Sequence, residues 1–324
     1  MTIVSVCLSP GFQRSVVVDS LALGEVNRMK SVAVDVSGKG VNVTRVLQRL
    51  GVAACCLSQG GSNADELAAL AHEEGLALRL IPSSGRVRTC TSIIEIGRRV
   101  TELVEPTPAV DAACVEAMTE TLRAMLPSAT ALVIAGSMAA GFPSGYQEQL
   151  AGLAHATGVP VFIDLQGGPL REALVAEPAV VKINLAEFVA TFLADRFQGG
   201  EQSGPLAEAE IPEAVMAAVA DVSRRYATSF VLTRGAKSIL LLRSGESRVV
   251  AVPPLAEQEI VSPIGSGDAF MAGLLAQLMK TGELSNERLS RLDVLAEAVG
   301  FAIACAQSNA RTARPGILQD SFVV

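Results

Sequence analysis

From about residue 53 onward, short apolar runs and helical stretches take turns along this chain, and that rhythm restricts the folds open to it. Residues 53–58 read as a strand, 64–74 as a helix and 77–81 as a strand; the pattern resumes with a helix over 111–126 and strands over 131–135 and 159–163. Strands apolar along their whole length are buried on both faces, and a helix between successive strands forces them parallel. The expectation is α/β: three layers, with a mostly parallel central sheet between helices. A strand-to-helix junction at 180–187, a helix over 211–226 and a strand at 230–233 continue the series. Runs at 238–242 and 248–252 read as a closing antiparallel pair, and 294–307 as the last long helix. The glycine-rich stretch 198–204 reads as a surface loop, because the alternation continues beyond it.

Two regions break the rhythm. Residues 12–35 and 86–105 carry strands that alternate apolar and polar residues, the mark of half-exposed sheet. The second reads as a hairpin across Ile96-Gly97 and holds four arginines, Arg86, Arg88, Arg98 and Arg99. Together they are expected to project as a small β lid. The arginines suit bidentate phosphate contacts, or else form a solvated edge that discourages aggregation.

Composition removes several classes of function. The 324 residues carry a net charge of −7, no Trp and two Tyr, so there is neither a basic surface nor stacking material for nucleic acid. No uninterrupted apolar run approaches the ~18 residues of a membrane helix, and the N-terminus lacks the basic flank of a signal peptide. A cytoplasmic location is expected. Six cysteines without a C-x-x-C pair read as buried thiols. The two histidines, His72 and His155, lie in alanine-rich helical stretches, which argues against a histidine metal site or triad. The chemistry falls to Asp, Glu, Lys, Arg and backbone.

Three motifs offer that chemistry. Gly265-Ser266-Gly267-Asp268 stands directly before an apolar-periodic helix. Glycines there let backbone N–H groups and the helix dipole face an anion. Asp268 is then either a group that handles a proton or metal, or a plain helix cap. Gly38-Lys39-Gly40 opens a second helix, without Walker A spacing or a dinucleotide fingerprint. Asn184 and Glu187, three apart at a helix start, either face one site or cap the helix reciprocally.

Taken together and in order, these segments resemble the ribokinase-like (PfkB) sugar kinases, in the branch with 1-phosphofructokinase and tagatose-6-phosphate kinase. Gly38-Lys39-Gly40-Val41-Asn42 looks like the first family signature, and Gly265-Ser266-Gly267-Asp268 like the second. The resemblance spans nearly the whole chain and implies one ribokinase-like domain over 1–324. It implies Asp268 as catalytic base, with Gly265, Ser266 and Gly267 forming an anion hole. Gly38, Lys39, Asn42, Arg88 and Ser137 would bind substrate, Arg88 gripping the phosphate of a phosphorylated sugar. Lys182, Asn184, Thr233, Gly235 and Asn309 would bind ATP, with Glu187 near Mg²⁺. The implied reaction is ATP-dependent phosphorylation of a sugar phosphate, fructose 1-phosphate to fructose 1,6-bisphosphate first among them, with tagatose 6-phosphate and fructose 6-phosphate as alternatives. The open lid edges suggest a homodimer.

The chain departs from the family pattern at Gln13, where an Asp usually binds sugar hydroxyls, at Cys90, where Asn is common, and in the Gly141-Phe142-Pro143 turn. An amide accepts one hydrogen bond and donates two, so Gln13 would reshape sugar preference. A non-catalytic sugar-phosphate sensor on the same fold is the competing reading. A nicotinamide-dependent reductase fails for want of a glycine fingerprint after the first strand.

Overall fold

The computed structural model describes residues 2–194 and 211–322. Its elements begin with β1 (Thr2–Cys7), β2 (Gly11–Val18), β3 (Ser31–Ser37), α1 (Lys39–Arg49), β4 (Ala54–Gln59), α2 (Ala64–Glu73) and β5 (Leu78–Ile81). There follow β6 (Arg88–Glu95), β7 (Arg99–Val104), α3 (Ala112–Met125), β8 (Ala129–Ala135), α4 (Tyr146–Ala156), β9 (Val161–Asp164) and α5 (Gly167–Ala173). The chain continues with β10 (Val180–Asn184), α6 (Leu185–Phe192), α7 (Glu213–Arg225), β11 (Ser229–Thr233), β12 (Ile239–Arg243) and β13 (Glu246–Val250). It ends in α8 (Ser266–Thr281), α9 (Asn286–Leu289) and α10 (Leu292–Ala310). The expected loop at 198–204 lies outside the described residues.

Nine strands form the central sheet in the order β13-β12-β11-β10-β9-β8-β1-β4-β5. All neighbours from β11 to β5 are parallel, and only β12 and β13 close the edge antiparallel, as expected. The alternation of each strand divides the core. On β1, Val4 and Val6 face a cluster with residues of α3, α4, α5, α6 and α7, while Ile3 faces α1, α8 and α10. Each fully buried Val, Leu or Phe contributes roughly 1.5–3 kcal/mol by leaving water, so the two clusters hold the sheet from both sides. Among the described residues no helix is long and apolar enough to cross a membrane.

The order reverses direction between β1 and β8. In such sheets the crevice beyond the carboxyl ends of those strands is where ligands bind. The two irregular regions meet in a separate four-stranded sheet, β3-β2-β6-β7. Its two antiparallel pairs are joined by parallel β2 and β6, which puts Gln13 opposite Cys90 and, across β3, opposite Asp35. No cysteine is paired in a disulfide: Cys7, Cys56, Cys114 and Cys305 are buried, while Cys55 and Cys90 are half-buried, short of the burial expected for all six.

Candidate active site

Three adjoining cavities run across the carboxyl ends of the strands. The first, of about 550 Å³, sits in the crevice between β1 and β8 and is lined by Ser9, Lys39, Arg88, Ser137 and Asp164 among others. The middle one, of about 530 Å³, contains Asp268 and Glu187 and shares Gly38, Lys39 and Arg88 with the first. The third, of about 310 Å³, is mostly apolar, with Val252, Phe270 and Ile303 in its walls, and shares Thr233, Gly235 and Gly267 with the middle one. Asp268 thus stands between a cationic end and an apolar slot.

Asp268 is the third residue of α8 and makes no capping bond; the helix is entered through Gly265 at φ +82°. A side chain there would meet Gly316 N at 2.7 Å and Pro315 Cα at 2.8 Å, so both the left-handed turn and the tight packing call for glycine. The plain cap reading of Asp268 is therefore set aside. Asn42 Nδ2 donates to its Oδ2 at 2.8 Å, and only 5% of the residue is exposed. Burial drives the carboxyl pKa up to about 6, against the pull of nearby Lys39.

Two lysines face this centre, and Asp164 joins them. Lys39 Nζ donates to Asp164 Oδ1 at 3.0 Å, and Lys182 Nζ to Oδ2 at 2.6 Å. Burial alone would raise the Asp164 pKa, but Lys182 and Lys39 outweigh it and hold the carboxyl below its usual value. Burial likewise opposes the charge on Lys39, and Asp164 and Asp268 more than reverse that, raising its pKa. Lys182 Nζ lies against Gly267, within 2.7 Å of where a Cβ would stand. The anion cradle of α8 therefore carries an ammonium beside its free N–H groups.

Asn184 and Glu187 satisfy both readings offered for them. They form a capping box, with Glu187 N donating to Asn184 Oδ1 at 2.8 Å and Asn184 N to Glu187 Oε2 at 3.1 Å. Both also line the middle cavity. Among the described residues no cluster of three His, Cys, Asp or Glu side chains could cage a metal. The middle cavity holds the carboxylates of Glu187, Asp268 and Glu102 without gathering them into a cage, which fits a hard cation carried mainly by phosphate and water, as magnesium usually is.

A model of the family described as "pfkB family carbohydrate kinase" matches residues 9–317. The chain belongs to that family. It is an ATP-dependent carbohydrate kinase, and the family's members use ATP with a divalent metal. Phosphofructokinase-2 of Escherichia coli superposes with a TM-score of 0.79 at 21% identity, over 96% of this chain and 93% of that one. A possible 1-phosphofructokinase of Thermotoga maritima gives 0.79 at 20%, over 99% and 95%. Ribokinase of Giardia lamblia gives 0.71 at 15%, over 96% and 94%. At these identities the likeness shows the ribokinase-like fold.

The kinase brings most of the expected residues to the cavities and engages three of them, Asn309, Ser266 and Asn42, in hydrogen bonds within the protein. Gln13, Gly38, Lys39, Asn42, Arg88, Lys182, Asn184, Glu187, Thr233 and Gly235 line the middle cavity with Gly265, Gly267 and Asp268, and Ser137 lies at the cationic end. Asn309, expected to face ATP, is fully buried instead. Its amide donates to Ile264 O at 2.8 Å and accepts from Gly316 N at 2.7 Å, so it braces the anion loop from behind. Ser266 is also partly spent, because its N–H donates to Pro263 O at 3.2 Å. The N–H groups of Gly265, Gly267 and Asp268 are the ones left open toward the middle cavity. Asn42, expected on the sugar, has both amide ends engaged: its Oδ1 accepts from Arg45 Nη1 at 3.0 Å. Asp164 and Arg45 were not among the expected site residues; a carboxylate at a strand tip beside the crevice was the one available signal for Asp164.

Proposed function

We propose that this kinase transfers the γ-phosphoryl group of ATP to a ketose monophosphate, with fructose 1-phosphate, giving fructose 1,6-bisphosphate, as the preferred acceptor. The observation that carries a phosphorylated acceptor is Arg88. Its Nε is buried with no hydrogen-bond partner among the described residues, and its two terminal nitrogens reach only Ser9 O at 3.4 Å and Glu105 O at 3.5 Å. An unspent guanidinium fork facing two cavities beside Lys39 suits a phosphate.

The acceptor then spans the first two cavities, its phosphate on Arg88, Lys39 and Ser137 and its reacting hydroxyl at Asp268. Gln13 donates through Nε2 to Ser92 Oγ at 2.8 Å, which leaves its carbonyl oxygen to accept from a sugar hydroxyl. Asp268 takes the hydroxyl proton as the oxygen bonds to the γ-phosphorus and the bond to the departing ADP oxygen breaks. The N–H groups of Gly265, Gly267 and Asp268, with Lys182, hold the charge of the transferring group. The apolar slot takes the base, and Asn184, Thr233 and Gly235 border the phosphates. Mg²⁺ near Glu187 would neutralise the triphosphate. The β2-β3-β6-β7 sheet closes over the sugar as a lid that limits access of water.

ADP release measured over fructose 1-phosphate, fructose 6-phosphate, tagatose 6-phosphate and their unphosphorylated sugars tests this reading. The first is expected to give the highest kcat/KM, and turnover confined to an unphosphorylated sugar would refute it. Arg88→Ala is expected to raise KM for the sugar phosphate by about 10- to 100-fold with little change in KM for ATP, the usual worth of a charged hydrogen bond.

We also propose a homodimer through the lid. On the face opposite Gln13 the register aligns Val34, Arg14, Thr91 and Leu103 in one row. Val34 is 46% exposed and Leu103 56%, apolar surface that a second copy would cover. Sedimentation is expected to find a dimer, and Val34→Asp a monomer; a wild-type monomer at micromolar concentration would count against it.

A further inference from the structure

We infer that Arg314, a residue outside the cavities, is a positioning residue that registers the lid with the anion hole; the role in turnover rests on the reading above. Asp35 lies on β3 next to Gln13 across the sheet, and it is 1% exposed. Arg314 Nε reaches both of its carboxylate oxygens at 3.0 Å, and Nη2 donates to Oδ1 as well. A buried carboxylate held by a guanidinium in this way fixes both chain segments, since separating them strands a charge.

The segment that carries Arg314 is a strap against the catalytic loop. Its next residue, Pro315, packs on Gly265 and lines the middle cavity. Gly316 donates its N–H to Asn309 and comes so close to Asn42 that a side chain would meet Asn42 Cβ at 2.9 Å. The strap thus touches the entry to the anion hole, the brace behind it, and the side chain that holds Asp268. A second tie runs parallel to it. Val36 N on β3 donates to Glu74 Oε1 at 3.1 Å, Glu74 Oε2 accepts from Arg45 Nε at 2.9 Å, and Arg45 binds Asn42, which binds Asp268. Strand β3 is therefore fastened to the reaction centre from two sides. Arg314 is the tie that reaches the phosphoryl end, so a shift of the lid strand is felt at Gly265.

Arg314→Gln, Asp35→Asn and the double variant test this. Each single variant is expected to lower kcat/KM for the sugar phosphate at least tenfold, with KM for ATP within twofold of wild type. The double variant is expected to stay within twofold of the worse single one, because both changes break one link, and Arg314→Lys to recover part of the loss. Losses that multiply in the double variant, or a fully active Arg314→Gln, would overturn the inference. Amide hydrogen exchange separates it from the substrate reading, because it needs no turnover. Arg314→Gln is expected to speed exchange at least tenfold both over residues 31–37 and at Ser266 and Ala269, the hydrogen-bonded amides on either side of Asp268; faster exchange confined to 31–37 would overturn the coupling even in an active kinase.

Discussion

Asp268→Asn is expected to lower kcat by 10² to 10⁴-fold or more while leaving ATP and sugar-phosphate binding within a fewfold of wild type and making the protein more stable. The first part follows from the proton: an amide cannot accept it, and a positioned base is worth about that range. Binding survives because Arg88, Lys39 and the apolar slot are untouched. The stability gain follows from burial. The Asp268 pKa rises from 3.8 unfolded to about 6 folded, so folding a charged Asp268 costs about 3 kcal/mol above that pH. A raised carboxylate pKa means stability present below about pH 4 and lost as pH rises to about 6. The advantage of the Asn variant should therefore be full at pH 7 and vanish below pH 4. Wild-type kcat/KM should fall as pH drops through about 6, where the base becomes protonated. Urea unfolding at pH 4 and 7 with a pH–rate profile checks all three, and a variant that turns over normally removes Asp268 from the base role.

Much of this architecture was legible in the sequence because its signals are local. Strand-length apolar runs between helical stretches gave the parallel sheet, and period-two alternation marked the strands of the second sheet. Glycine pairs located Gly38 and Gly265, whose turns only a few residues can make. What stayed hidden depends on contacts between residues far apart in the chain. Asn42 and Asp268 are 226 positions apart, and Asp35 and Arg314 are 279 apart. A sequence pattern shows that Asn42 is polar on a helix start, not that its amide is consumed by a carboxylate and an arginine. Asn309 illustrates the same limit, since the family resemblance implied a place near ATP and packing turns it inward. Cys90 and Gln13 share one row of the second sheet and line the middle cavity, so two of the three departures from the family pattern fall together at one wall, while the Gly265-Ser266-Gly267-Asp268 segment keeps its pattern.

Asp164→Asn is the other large effect, and it arises from a residue that holds two site lysines at once. Asp164 is 1% exposed and accepts from Lys39 and Lys182 together. An amide keeps one acceptor oxygen, turns an NH₂ group toward an ammonium and carries no charge, so both lysines lose their shared counter-charge and Lys182 loses it while buried. Removing one partner of a buried ion pair costs about 3–5 kcal/mol. Because the folded Asp164 pKa lies below its unfolded 3.8, the stability it contributes is complete above that value and lost as pH falls through the lower, folded one. Wild type and variant should differ by a constant amount from pH 5 to 8 and converge in stronger acid. Activity should fall as well, since Lys39 and Lys182 are no longer held at their ends of the cavity. The distinguishing readout is the acid limb of whatever activity remains. Asp164 is one of the charges that raises the Asp268 pKa, against the pull of Lys39 and Lys182, so its loss should move that limb below pH 6. An acid limb unmoved in the variant would mean that Asp164 only holds the lysines in place and leaves the base untuned.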